Sequence, residues 1–126
     1  MSDGLPGDPR DTSTPAAMLA TSHRLLFGQR LPPIARARLI SWMHASETGN
    51  DMIRSGLPAG WHEANKTGSG SRGIRNIISL ITPPGTPPDR PPLLLVLMLA
   101  EAERDIALRN RHHARFAQAL AAAITA

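Results

Sequence analysis

The sequence predicts one small α+β domain, in which flanking helices pack on about three antiparallel strands. Three observations predict this fold class. A chain of 126 residues can bury one core and no more. Helical patterns occupy the first 60 residues and return after residue 100, whereas β-branched and apolar runs occupy the segment between them. The hydrophobic fraction of 41% is typical of a globular protein.

The first two helices have clear start signals. Thr14 followed by Pro15 predicts an N-cap with proline at the first helical position, and Gly28 is expected to end this helix after about Phe27. The second helix is expected to begin at Pro32-Pro33. Its apolar residues include a pair spaced four apart on one face, as an amphipathic helix requires. The apolar positions expected in this helix are Ile34, Ala37, Leu39, Ile40, Trp42 and Met43.

Three strands and a last helix follow. The string "MIRSGLPAGW" predicts a helical turn and a bend, and then "WHEANKTGS", "IRNIISLIT" and "PLLLVLMLA" predict strands. The last of these is a continuous apolar run and is expected to be buried. The proline-rich loop before it predicts an antiparallel hairpin. From Glu101 onward the pattern is helical again, with an apolar side expected to consist of Ile106, Phe116, Leu120 and Ile124.

Composition and charge exclude several function classes. The net charge is +4, and 13 of the 14 basic residues are arginine, but they are scattered among acids and few aromatics accompany them. We therefore predict no nucleic-acid partner. The run from Leu93 to Ala100 is too short to span a bilayer, so no membrane partner is predicted. The first residues have no apolar secretory stretch, and the chain expressed as given is expected to be cytoplasmic.

Most candidate chemical motifs have simpler explanations. "GSGSRG" has the G-x-G-x-x-G spacing, but it connects two predicted strands, whereas a dinucleotide fold needs a helix there. "HEANK" lacks the second histidine of a zinc motif. His112 and His113 are adjacent and point about 100° apart on a helix, so we interpret both as solvated residues. We predict no metal and no cofactor. Asp8, Arg10 and Asp11 form a charged loop, best explained by an ion pair.

The string Lys66-Thr67-Gly68 contains the chain's only lysine, and three explanations remain open for it. It could be part of a phosphate loop, an edge strand that presents an ammonium to an anionic substrate, or a plain turn. In the second case the lysine offers charge to a substrate carboxylate and Thr67 donates a hydrogen bond to it. Gly68 would let the substrate lie close to the backbone.

Several longer strings resemble the C-terminal part of a class A serine β-lactamase. In chain order they are "PGDPRDTSTPAAM" (Pro6 to Met18), "ARLISWM", "RSGLPAGW", "KTGSGSRG" and, near the end, "RNRHHARFAQAL". The resemblance extends nearly to Ala126. It implies a partial domain with the second half of the Ω-loop in residues 1–14, a helical part in 15–60, three strands in 61–100 and a C-terminal helix in 101–126.

The resemblance also implies roles for individual residues. Lys66 and Thr67 match the K-[ST]-G motif that engages the substrate carboxylate. Ser69 matches the position whose backbone N–H forms half of the oxyanion hole, and its hydroxyl is expected to touch substrate. Arg75 matches an arginine that helps to bind the carboxylate from the next strand. Asp11 matches an Ω-loop aspartate whose arginine partner lies upstream of this chain.

The family's S-x-x-K and S-D-N motifs do not occur in this sequence. The resemblance implies that the chain starts just after the general base. Three explanations for this start remain open: a start codon assigned inside a longer reading frame, a gene remnant, or a deliberate half of the enzyme. The family implies a periplasmic or secreted enzyme that hydrolyses β-lactam antibiotics and so confers resistance. This chain is expected to be inactive unless an N-terminal half complements it. The alternatives are a non-catalytic remnant and a binding module with a penicillin-binding-protein-like fold.

Overall fold

A three-stranded antiparallel sheet lies between two pairs of helices in the computed structural model, which describes residues 7–126. The prediction that residues 1–6 belong to a loop lies outside this range. The elements are α1 (Pro15–Leu26), α2 (Pro33–His44), α3 (Ile53–Gly56), β1 (His62–Ser69), β2 (Arg75–Thr82), β3 (Leu93–Leu99) and α4 (Ile106–Thr125). The predicted α+β fold class is confirmed.

The strands are arranged in the order β1-β2-β3, and both neighbouring pairs are antiparallel. Ala64 of β1 pairs with Leu80 of β2, which in turn pairs with Leu94 of β3. Because side chains alternate between the faces of a strand, these three residues share one face. The register therefore places every second residue of β1 toward α1 and α2, and the others toward α3 and α4.

Each face of the sheet has its own buried core. On one face Ala64 and Leu80 pack with Leu26 of α1 and Met43 of α2. On the other face a second cluster surrounds the middle of β2 and is made of Met52, Ile53, Ile77, Ile81 and Ala117. The sheet is therefore the layer that both cores share, and β1 and β2 are fixed from two sides.

The predicted starts of the first two helices are confirmed, but three predicted apolar positions of α2 are exposed. Thr14 caps α1, with its hydroxyl oxygen accepting from the N–H of Ala17 at 3.1 Å. Helix α2 begins at Pro33 and buries Met43. Ile34 and Trp42, expected on the apolar side of this helix, are 75% and 65% exposed, and Ala37 is exposed as well. Met43, the neighbour of Trp42, takes the inward position, and the next residue on a helix points about 100° away.

The last helix also differs from its prediction. It begins at Ile106, capped by Asp105, and Glu101 lies outside it with a φ of 54°. Three residues expected on its apolar side, Ile106, Phe116 and Ile124, are 40–49% exposed. Its buried face instead consists of Asn110, His113, Ala117 and Ala121. His113 is therefore buried, not solvated, whereas His112 is exposed and lies 3.1 Å from Glu103.

Strand β3 is half-buried along most of its length, although its apolar run predicts full burial. The reason is its position, since it forms an edge of the sheet that residues 7–126 build. Leu95 and Leu97 contact the core beside α4, whereas Leu93 is 41% exposed. In this range of residues, no helix has both the length and the apolar character required to cross a membrane.

Candidate functional site

The residues singled out in the sequence lie at the end of the β1–β2 pair. Strand β1 is the second edge of the described sheet, and its last four residues run from Lys66 to Ser69. Arg75 begins β2 directly opposite Ser69. The loop of residues 46–50, between α2 and α3, packs against the same end of β1. The structure thus brings Lys66, Thr67, Gly68, Ser69 and Arg75 into one neighbourhood.

Lys66 is an exposed cation on this edge strand. Its Nζ donates a hydrogen bond to the carbonyl oxygen of Thr67. The side chain starts from the sheet face that carries α1 and α2, where it contributes to a groove of about 490 Å³ whose apolar wall includes Leu39, Trp42 and Ile78. The ammonium is therefore accessible at the edge of β1, beside a largely apolar surface.

Thr67 points to the opposite face, where a second threonine holds its hydroxyl. Its Oγ1 lies 2.7 Å from Oγ1 of Thr48, and either hydroxyl can donate. The backbone carbonyl of Thr48 also accepts from Arg75 at 3.0 Å. Thr48 therefore links Thr67 and Arg75, although nothing in its local sequence indicates a role.

Arg75 is only 7% exposed and uses its guanidinium in three directions. It donates to Oγ of Ser69 at 2.5 Å, to Oδ1 of Asn110 in α4 at 2.9 Å and to the carbonyl of Thr48. Burial lowers the pKa of Arg75, the charge of Arg109 lowers it further, and Asp51 opposes the shift. These hydrogen bonds satisfy the buried guanidinium and fix its orientation beside β1.

The glycine-rich segment forms a hairpin turn and no phosphate loop. Residues 70–74 join β1 to the antiparallel strand β2, so no helix N-terminus follows the glycines. At Gly68 a Cβ would have only the Cβ of Asn76 as a neighbour, at 4.0 Å. The open space there is compatible with a molecule lying against the backbone of β1.

The charged loop before α1 contains the expected ion pair. Nη2 of Arg10 lies 2.7 Å from Oδ2 of Asp8, and the hydrogen bonds from Arg10 lower the pKa of this carboxyl. Asp11 lies in the same turn with a φ of 54°. Its proposed pairing with an arginine outside this chain stays a prediction.

Sequence reasoning missed three polar residues around the site. Thr48 and Asn110 hold the predicted residues from a loop and from α4, and Glu63 lies buried in β1. Asn110 falls within a string that carries the family resemblance, which was the only available signal for it. For Glu63 the signal was a charged residue at a position of β1 where the strand pattern requires an inward side chain.

Comparison with known proteins agrees with this architecture. Residues 2–126 match the family model described as the beta-lactamase enzyme family. Solved structures of class A β-lactamases superimpose on the chain with TM-scores of 0.84–0.86. The chain belongs to the class A β-lactamase family. The predicted family is thereby confirmed.

Three solved class A or related structures illustrate the match. A mutant of the β-lactamase of the last common ancestor of Gram-negative bacteria is 40% identical, with a TM-score of 0.86 over 96% of this chain. A second ancestral enzyme of that lineage is 43% identical, with a TM-score of 0.85 over 95%. A β-lactamase from Xanthomonas campestris is 43% identical, with a TM-score of 0.84 over 95%. The chain spans 44% of the length of each of these β-lactamases.

Proposed function

We propose that this chain supplies the carboxylate-binding side of a class A β-lactamase. In the complete enzyme, a serine acyl-enzyme would hydrolyse the β-lactam amide of an antibiotic and so confer resistance. Lys66, Thr67 and Arg75 would bind the substrate carboxylate, Gly68 would allow its close approach, and the backbone N–H of Ser69 would supply one oxyanion donor. The nucleophile and general base would come from an N-terminal half, in an enzyme that works outside the cytoplasm.

The observation that supports this proposal is that Thr67, Ser69 and Arg75 lie on one face at the end of β1, with Lys66 exposed on the same edge strand. Arg75 donates to Oγ of Ser69, which leaves the hydroxyl hydrogen of Ser69 free to point elsewhere. If Thr48 donates to Thr67, the hydroxyl hydrogen of Thr67 is likewise available. Both hydroxyls can then donate to an anion beside the ammonium of Lys66, in charge-assisted hydrogen bonds.

The first prediction concerns Lys66 and uses complementation. We expect the chain alone not to hydrolyse a chromogenic cephalosporin, and a mixture with a fragment that carries S-x-x-K and the Ω-loop glutamate to do so. Lys66→Ala should lower kcat/KM of the mixture roughly 10- to 100-fold, because it removes hydrogen bonds to a charged group. Arg111→Ala, which removes an exposed charge on α4, is the matched control and should leave the rate unchanged.

Two outcomes would contradict this mechanism. Hydrolysis by the chain alone would mean that it contains its own nucleophile. An unchanged rate for Lys66→Ala would remove the ammonium from substrate binding. If mixing restores no activity at all, the chain behaves as a non-catalytic remnant or as a binding module of the same fold.

A further inference from the structure

Glu63 of β1 is a buried carboxylate that the proposed chemistry does not use. Its side chain is fully shielded from solvent. Oε1 accepts from the hydroxyl of Ser79 at 2.7 Å. Oε2 accepts from Nε of Arg54 at 3.1 Å and from Nδ2 of Asn65 at 2.7 Å. A buried charge persists only when it is paired and hydrogen-bonded, and both oxygens of Glu63 meet that condition.

The partner cation, Arg54, extends this network from the sheet to the loop of residues 46–50. Its Nη2 donates to the backbone carbonyl of Glu63 at 3.0 Å. Its Nη1 donates to the carbonyl of Ser46 at 3.2 Å and to Oδ1 of Asn50 at 2.5 Å. One guanidinium therefore contacts both ends of the loop and the strand beneath it.

Asn65 contacts the same loop at Ser46 and Gly49. Its Oδ1 accepts from the hydroxyl of Ser46 at 3.0 Å, while its Nδ2 is oriented by Glu63. Gly49 lies directly on this amide, because a Cβ at Gly49 would be only 2.6 Å from Oδ1 of Asn65. The loop is thus seated on a side chain whose amide orientation depends on the carboxylate of Glu63.

The residue that this loop presents is Thr48, which contacts both Thr67 and Arg75. We propose that Glu63 is a positioning residue. Together with Arg54 and Asn65 it fixes the loop of residues 46–50, so that Thr48 sets the orientation of Thr67 and of the Arg75 guanidinium. The chemical consequence, binding of a substrate carboxylate, rests on the function proposed above, but the positioning itself does not.

The test uses Glu63→Gln, which keeps the shape of the side chain and removes its charge. In the chain by itself, we expect amide hydrogen exchange of residues 46–50 to become at least about tenfold faster. The amides of α4 should change less, because in the described residues α4 makes no hydrogen bond to Glu63, Arg54 or Asn65 and is linked to the loop through Arg75. Glu103→Gln, which alters an exposed carboxylate paired with His112, is the matched control and should leave loop exchange unchanged.

A second variant tests the same loop without changing the buried carboxylate, in case Glu63→Gln does not fold. Ser46→Ala removes the loop's hydrogen bond to Asn65 and the 3.3 Å contact between the hydroxyls of Ser46 and Thr48, and it leaves the buried ion pair intact. It should also accelerate loop exchange, with a melting temperature close to that of the unchanged chain. In the mixture with the N-terminal half, both variants should raise KM several-fold and change kcat by less than twofold. The reason is that a contact to the carboxylate, made equally in the bound substrate and in the transition state, is weakened.

Loop exchange that is unchanged in both variants would overturn the positioning role. An equal acceleration throughout the chain would also overturn it, because Glu63 would then serve global stability only. If the mixture shows no hydrolysis, the proposed function fails while the exchange measurements still decide the role of Glu63. If hydrolysis is present and KM does not change, the loop does not act on the carboxylate-binding residues.

Discussion

Arg75 illustrates how a single buried side chain connects separate parts of this fold. Its guanidinium joins a strand, a loop and a helix through Ser69, Thr48 and Asn110. Arginine suits this position because its planar fork offers five donors in fixed directions and remains charged when partly desolvated. These contacts therefore fix the position of the Arg75 guanidinium beside β1.

His113 provides a prediction at the same scale. It is fully buried in α4, and burial is the main cause that lowers its pKa, while a hydrogen bond to the carbonyl of Arg109 opposes the shift. Below the ordinary value of 6.5, the unfolded chain binds a proton that the folded chain does not. The free energy of unfolding should therefore be constant above that pH and fall below it, by up to about 1.4 kcal/mol per pH unit.

Urea unfolding between pH 7.5 and pH 5 measures this dependence. His113→Leu should flatten it, because the variant has no proton to bind at this position. His112→Gln alters the exposed neighbour and should preserve the slope. A slope in the unchanged chain that His113→Leu does not reduce would assign the pH dependence to other groups.

At the scale of elements, the contact between α3 and α4 explains which face of α4 is buried. Gly56 of α3 lies against the backbone of α4, where a Cβ would overlap the carbonyl oxygen of Ala114. Such a close approach requires small residues, and α4 buries Ala117 and Ala121 there. The larger Ile106, Phe116 and Ile124 are left half-exposed.

Gly56→Ala tests this packing. The added methyl group has no space unless the helices separate, so we expect a loss of about 1–3 kcal/mol in the free energy of unfolding. Ser55→Ala, one residue away on the exposed side of α3, should cost less. Equal unfolding midpoints in urea for Gly56→Ala and the unchanged chain would contradict this prediction. They would show that α3 and α4 can separate to accommodate the methyl group without loss of stability.

At the scale of the whole molecule, the described chain exposes apolar surface on the side of α1 and α2. The groove beside Lys66 is lined by Leu25, Leu39 and Ile78, and Trp42 at its rim is 65% exposed. Contiguous apolar patches of this kind favour association. The half-buried edge strand β3 adds backbone groups that can pair with another strand.

We therefore expect the chain by itself to self-associate at micromolar concentration. Trp42→Ser should reduce this association, measured by sedimentation velocity, because it removes the largest exposed apolar side chain of the groove. Ile34→Ser is the control, since Ile34 is 75% exposed but does not line the groove. If both substitutions act equally, general surface hydrophobicity explains the association and the groove does not.

Local signals in the sequence determined the family, the order of the elements and the start of each N-terminal helix. Capping by Thr14 and the prolines at helix starts act within one turn, so they can be recognised without the fold. The K-T-G string likewise placed Lys66 and Thr67 on a strand that the structure shows at the sheet edge. Their roles in substrate binding stay predictions.

Only the tertiary structure decided which distant residues meet. Thr48 and Asn110 reach the end of β1 from a loop and a helix, across up to 35 positions in the chain, and the carboxylate of Glu63 meets Arg54 and Ser79 from the strand interior. The same holds for α4, whose buried face follows from the close approach of Gly56. The physical reason is that a helix or strand pattern shows which faces are apolar, whereas packing against the neighbouring elements selects the face that is buried.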